Sequence, residues 1–226
     1  MNKQHPLMSI LSGIFNVFLP AFILIKCSPD AILGPIWALI IAISLPITWG
    51  GIEYIIKKKI DPISVIGILS TLLTGVIGLL KLHSDLIAIK EAMIPLCIGI
   101  AILISTKRPF SVIRFIFNQT CQSFKIYRQL IKSQKLTQFK DKISKTSYIF
   151  ASSFFLSAIL NYILAKKILH SATGSVAFNQ ELGKLTALSY PVIVVPSLII
   201  TCLAFWFLIH HIKKLTQLSL DQIIKK

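Results

Sequence analysis

The chain has 226 residues, 54% hydrophobic and only 14% charged, with a formal net charge of +16 and a mean hydropathy of +0.77. A soluble domain carries about a quarter charged residues, so this composition argues against one. The apolar residues come in blocks of about twenty, the length of a membrane helix, and the positive charge lies between the blocks, which favours a bilayer surface over nucleic acid. No stretch between the blocks is long enough for a folded basic domain with its own core, which nucleic-acid binding would need.

In chain order, the first block runs from about Leu7 to Ile25, with Asn16 and Pro20 in its middle. The lead Met1–Pro6 is short and no small-residue cleavage site follows, so this block reads as a retained helix. The second runs from about Ala31 to Ile56, opened by Gly34-Pro35, and Pro46 with Gly50-Gly51 predicts a bend. Near its end Glu53 precedes Lys57 at the i,i+4 spacing of a local ion pair. The third runs from about Pro62 to Leu80 and carries two stripes of small residues, Ser70-Thr74-Gly78 and Gly67-Thr71-Gly75. Small residues allow the close backbone approach that joins helices in lipid.

The fourth block runs from about Asp85 to Thr106 and contains Lys90-Glu91 more than a turn inside. Ionisable residues at membrane depth are rare and mark solute or proton pathways. Pro95 adds to the polarity, since it has no N–H for the Glu91 carbonyl. The competing reading is that Lys90 snorkels outward and Glu91 pairs with a nearby base.

Lys107 to Lys145 then holds ten Lys or Arg and one acid, Asp141. Phe110, Ile113 and Phe117, then Phe124, Tyr127 and Ile131, then Leu136, Phe139 and Ile143 recur at helical spacing. The pattern suits short helices lying on an anionic leaflet, against a solvated loop that only fixes topology. The fifth block, about Ser147 to Ala165, aligns Ser153, Ser157, Asn161 and Ala165. The connection after it contains Phe178 to Lys184, where Glu181 is the only acid and has Lys90 or Lys184 as candidate partners. The sixth block runs from about Leu188 to His211, with Pro191 and Pro196 near its start. An Asn inside a helix, such as Asn16 or Asn161, is either interhelical glue or a ligand for a solute.

Continuous apolar runs are helices, because a lipid-embedded backbone must satisfy itself. The expected fold is an all-α polytopic membrane helix bundle of about six transmembrane helices, or five if the first is re-entrant. Residues 1–106 form a four-helix membrane region, 107–146 a basic cytoplasmic connection, 147–212 a two-helix membrane region and 213–226 a tail. With the N-terminus inside, eighteen Lys and Arg fall on the inner side and six on the outer, which sets both termini in the cytoplasm.

Catalytic motifs are absent: there is no H-E-x-x-H, phosphate-binding loop, G-x-S-x-G or G-x-G-x-x-G. His83, His170, His210 and His211 sit near block ends, and the four cysteines make no zinc spacing. The expectation is no enzyme, no metal and no cofactor.

Several stretches are familiar together: Asn16-Val17-Phe18-Leu19-Pro20, Gly34-Pro35-Ile36-Trp37-Ala38-Leu39, Lys90-Glu91-Ala92 with Ile94-Pro95, Lys107-Arg108-Pro109-Phe110, Asn161-Tyr162, and Phe178 through Gly183 followed by Leu185 to Pro191. In this order the chain resembles the intracellular septation protein A-like family of bacterial inner-membrane proteins, in a branch with a longer middle connection. The resemblance implies a multi-pass inner-membrane protein with a non-enzymatic role in envelope maintenance or septation. Its implied partners are the bilayer, anionic lipids of the cytoplasmic leaflet and other envelope or division proteins, without nucleic acid. The alternative is a small-solute or ion transporter with a polar site at the outer side of the fourth and sixth blocks, built on Lys90, Glu91 and Glu181, with Asn161 and Asn16 as further candidate polar residues. A cavity lined by these residues favours transport, and a solid bundle favours the envelope role.

Overall fold

The computed structural model describes residues 11–57, 62–106 and 111–224, excluding the side chains of Lys57, Pro62, Ile63 and Ser64. Leu7 to Ile10, Lys58, Lys59, Lys107 to Phe110 and the Glu53–Lys57 pair therefore lie outside the described residues. Nine helices follow in order: α1 (Leu11–Lys26), α2 (Gly34–Lys57), α3 (Pro62–Leu79), α4 (Asp85–Thr106), α5 (Val112–Thr120), α6 (Ser123–Lys132), α7 (Leu136–Ile168), α8 (Val176–Thr216) and α9 (Leu220–Ile223), counted among the described residues. No strand occurs among them, so the fold is all-α.

Among the described residues four helices, α2, α4, α7 and α8, are long and apolar enough to cross a membrane. This is fewer than the six expected. Two further apolar helices, α1 and α3, are described over Leu11–Lys26 and Val65–Leu79, and these described lengths are below the roughly twenty residues that a bilayer core needs. The last two blocks instead grow beyond expectation. Residues 147–165 are the later portion of the 33-residue α7, and residues 188–211 lie inside the 41-residue α8. Phe178 to Lys184, expected as a connection, forms the opening turns of α8, started by Ser175, whose hydroxyl accepts from the Phe178 N–H.

Two prolines mark breaks in regularity. The chain widens to a π-helical turn over Ile14–Phe18, just before Pro20, and again over Tyr190–Val194, around Pro191. Proline cannot give its N–H to the preceding turn, and a wider turn is one way to absorb the loss.

The chain divides into two compact units, one of residues 1–92 and 160–192, the other of 93–159 and 193–226. In the first, Leu24 of α1, Leu39 and Ala42 of α2, Ile77 of α3, Ile87 of α4, Ala165 of α7 and Phe178 of α8 share one buried cluster. Lipid is as apolar as these side chains, so close fit rather than transfer from water holds such helices together. The glycines show the fit. A Cβ on Gly183 would stand 2.9 Å from the Ala21 carbonyl oxygen, and one on Gly78 would stand 2.6 Å from Leu39 Cδ2. The expected small-residue stripe of α3 thus packs on α2 at Gly75 and Gly78, while Gly67 faces open space. Large apolar side chains are left on the outside, among them Phe18 and Trp37, as a lipid-facing surface requires.

In the second unit the basic stretch shares one core with α8 and α9. Ile113, Phe117, Ile126, Leu130, Phe139 and Ile143 are buried together with Ile212 of α8 and Ile223 of α9. Phe117, Tyr127 and Phe139 pack as an aromatic trio with centroids 5.4–6.1 Å apart. Burial pushes the Tyr127 phenol above its ordinary pKa, against the lowering effect of Arg114. On α6 the Ile126–Leu130 face turns to this core, whereas Phe124 and Ile131 remain exposed. α9 is held by backbone pairing, since the Gln122 N–H donates to the Ile223 carbonyl at 2.8 Å.

Gly183→Leu is expected to lower the stability of the detergent-solubilised protein by at least about 2 kcal/mol through forced separation of α1 and α8, read as a fall in thermal midpoint. Gly67→Leu, with nothing within 4 Å of its Cβ, leaves the midpoint unchanged within about 0.5 kcal/mol.

Candidate functional site

The first unit contains a partly open cavity of about 230 Å³. Its wall combines apolar side chains of α1, α2 and α8 with a polar strip: Asn16, Ser70, Thr74, Lys90, Glu91 and Thr186. The strip centres on Lys90, whose side chain is only 9% exposed. Its Nζ donates to Glu91 Oε1 at 2.8 Å, Thr74 Oγ1 at 2.7 Å, Ser70 Oγ at 2.9 Å and the Ser70 carbonyl at 3.1 Å. Ser70 and Thr74 are four apart on α3, so their hydroxyls point the same way. Three N–H donors meet four oxygens, and the buried ammonium is fully satisfied. Lys90 therefore turns inward to α3 and does not snorkel. Glu91 has a base beside it in sequence, and the pair forms one 2.8 Å bridge.

Proline places further polarity here. Pro20, Pro46 and Pro95 each lack the N–H that a regular helix would direct to the carbonyl four residues earlier. Those earlier residues are Asn16, Ala42 and Glu91, and all three line the cavity, as do Pro20 and Pro46 themselves. Asn16 lies in the widened turn of α1, and its Nδ2 donates to Ser12 Oγ at 2.9 Å.

Asn16, Lys90 and Glu91 are thus brought to one cavity. Glu181 and Asn161 are not. Glu181 pairs with neither Lys90 nor Lys184. Its Oε2 accepts from the backbone N–H groups of His170 and Ser171 at 3.0 and 2.9 Å, and its Oε1 accepts from Ser171 Oγ at 2.7 Å. It therefore fastens the turn that follows α7 onto α8. Asn161, half-buried on α7, lies off the cavity wall.

Sequence reasoning passes over two groups. Ser70 and Thr74 are legible only as packing residues, yet their hydroxyls cradle Lys90. Asn179 stands in the Phe178–Gly183 stretch with no local signal of its role. It is fully buried, and its Nδ2 donates to the Pro35 carbonyl at 2.7 Å and to Ser28 Oγ at 3.1 Å, joining the α1–α2 connection to α8. Among the described residues no group of three His, Cys, Asp or Glu comes together in a way that could hold a metal ion.

Lys90 is buried and Glu91 is 31% exposed, so breaking the pair costs less than in a dry core and replacing it whole costs little. Glu91→Gln or Lys90→Met alone is expected to lower stability by about 1–2 kcal/mol, because each leaves one charge without its partner. The double variant Lys90→Met/Glu91→Leu recovers most of that loss, and thermal unfolding of the three proteins in one detergent reads the non-additivity.

The chain matches no protein-family model, no curated protein and no solved structure.

Proposed function

We propose that this is a multi-pass protein of a bacterial cytoplasmic membrane and that its first unit binds a small polar solute in the Lys90–Glu91 cavity and passes it across the bilayer. The role is non-enzymatic, with Glu91 and Asn16 as the solute-facing groups and Lys90 holding Glu91 in place. One observation carries the reading: an ion pair with a buried Lys90 and a partly exposed Glu91 lines a cavity within a bundle of apolar helices. A bundle serving only as a scaffold is best stabilised by filling such a space with aliphatic side chains. Helices interrupted at prolines beside the space supply the backbone polarity that solute sites at membrane depth use.

In this reading all six apolar helices span. The Lys and Arg distribution supports cytoplasmic termini, with the basic α5–α6 segment on the same side. There the exposed Phe124 and Ile131, seven apart with Arg128 between them, form the kind of outward face that rests on anionic headgroups. That face is the observation favouring the second reading, in which the chain keeps up the envelope through lipid and protein contacts, as the septation protein A-like resemblance implies.

Water access to the cavity tests the solute reading. In a variant with all four native cysteines replaced by Ala, Thr186→Cys is expected to react in proteoliposomes with a charged thiosulfonate reagent at least tenfold faster than Leu198→Cys, which occupies an exposed apolar position. Equal rates at the two positions overturn the reading.

A further inference from the structure

The wall of the Lys90–Glu91 cavity is rich in acceptors and poor in free donors. The three N–H groups of Lys90 are already taken by Glu91, Thr74 and Ser70. Three wall hydroxyls are committed as well. Thr71 donates to the Gly67 carbonyl at 2.9 Å, Thr186 to the Leu182 carbonyl at 2.9 Å and Ser189 to the Leu185 carbonyl at 2.7 Å, each one turn back along its own helix. A hydroxyl has one hydrogen, so these three have lone pairs alone left to offer. Glu91 binds Lys90 through Oε1, and its Oε2 has no partner among the described residues. Asn16 spends one N–H on Ser12, and its Oδ1 is likewise without a partner among the described residues. The wall donors that stay uncommitted are the second Asn16 N–H and the hydroxyls of Ser70 and Tyr190, none of them charged.

Charge narrows the choice of guest. The Lys90 ammonium and the Glu91 carboxylate cancel at 2.8 Å, and no other charged residue lines the cavity among the described residues. An entering cation brings an uncompensated charge into a bundle of apolar helices, beside an ammonium. An entering anion meets the open side of Glu91 and finds no charged donor free. The carboxylate of a zwitterion faces the same lack. An apolar guest leaves the acceptors unpaired. A neutral molecule with several N–H or O–H groups meets none of these objections. The volume of about 230 Å³ suits a few heavy atoms, given that one water occupies about 30 Å³ of liquid.

Resting on the solute reading above, we propose that the cavity selects small uncharged molecules rich in hydrogen-bond donors, the class of urea and short polyols. Glu91 Oε2 and Asn16 Oδ1 accept from the guest on one helix each, and the Thr186 and Ser189 hydroxyls accept from it on α8. The spare Asn16 N–H serves the guest's own oxygen. Lys90 does not touch the solute. It cancels the charge of Glu91 and so turns a carboxylate into an acceptor for a neutral guest.

Solute entry into proteoliposomes holding the full chain tests this. Vesicles are mixed rapidly with hyperosmotic urea, glycerol, glycine or potassium chloride, with valinomycin added to read chloride, and light scattering reports re-swelling. Urea or glycerol is expected to enter at least tenfold faster than in protein-free vesicles, and glycine and chloride no faster. Thr186→Val, which removes one acceptor and nearly keeps the shape, slows urea and glycerol by about threefold at an unchanged melting temperature. Glu91→Gln leaves Lys90 as a net positive charge, so glycerol entry falls and chloride entry rises. Urea and glycerol both at the protein-free rate, glycine or chloride entering as fast as they do, or an unchanged glycerol-to-chloride ratio in Glu91→Gln overturns the proposal. If Glu91→Gln does not fold, Thr186→Val decides, and unchanged entry in it overturns the proposal. Slow urea and glycerol with a reactive Thr186→Cys removes this selectivity alone. An unreactive Thr186→Cys removes the solute reading beneath it.

Discussion

One buried ammonium sets the terms for the first unit. An isolated charge in a low-dielectric interior is penalised by several kcal/mol unless oxygens surround it, and Lys90 has four of them. That requirement joins α4 to α3 through Ser70 and Thr74. It also places Glu91 beside its own neighbour in sequence, so charge is balanced within two residues. Helices that meet around such a cluster cannot close on it with aliphatic side chains. The space beside the pair is a direct result of how the pair is satisfied.

The prolines act on the same region from another direction. A regular helix hides its carbonyls in its own ladder, so a wall built of regular helices presents side chains alone. Here three interruptions fall one turn after residues of the cavity wall, at Asn16, Ala42 and Glu91. Two further prolines, Pro191 and Pro196, fall in or just after the second widened turn, and Tyr190 at the start of that turn also lines the cavity. Polarity from backbone and side chain therefore gathers where the packing is least regular. The tight contacts at Gly75, Gly78 and Gly183 lie elsewhere and hold the surrounding helices in place.

Much of this is legible in the sequence, for a simple reason. A Lys-Glu pair or an Asn inside twenty apolar residues stands out, because the background is nearly uniform. Lys90, Glu91 and Asn16 are accessible in that way, and so are the helical class and the small-residue face of α3. Partners remote along the chain are not. Asn179 meets Ser28 across 151 residues, and nothing in either neighbourhood announces the other. Glu181 has two bases as candidates, yet backbone N–H groups at the end of α7 take its carboxylate. The basic stretch shows a further limit. Periodicity finds an apolar stripe but not what covers it, and α6 carries two of them: Ile126 and Leu130 face the core, while Phe124 and Ile131 face out. Helix length is also hidden. The polar turns 136–146 and 176–187 carry little hydrophobic signal, but they extend α7 and α8 well beyond their apolar stretches.

The pairing of Gln122 with Ile223 has a consequence for how the protein is made. Ile223 completes a core whose other members begin at Ile113, so about half the chain separates the first contributor from the last. A ribosome inserting the apolar helices one by one must therefore leave Phe117, Ile126 and Phe139 without their final cover through most of the second half of synthesis. During that interval an arginine- and lysine-rich segment carries an apolar stripe that only later parts of the chain cover. Closure of this core therefore waits on α9, the last helix among the described residues.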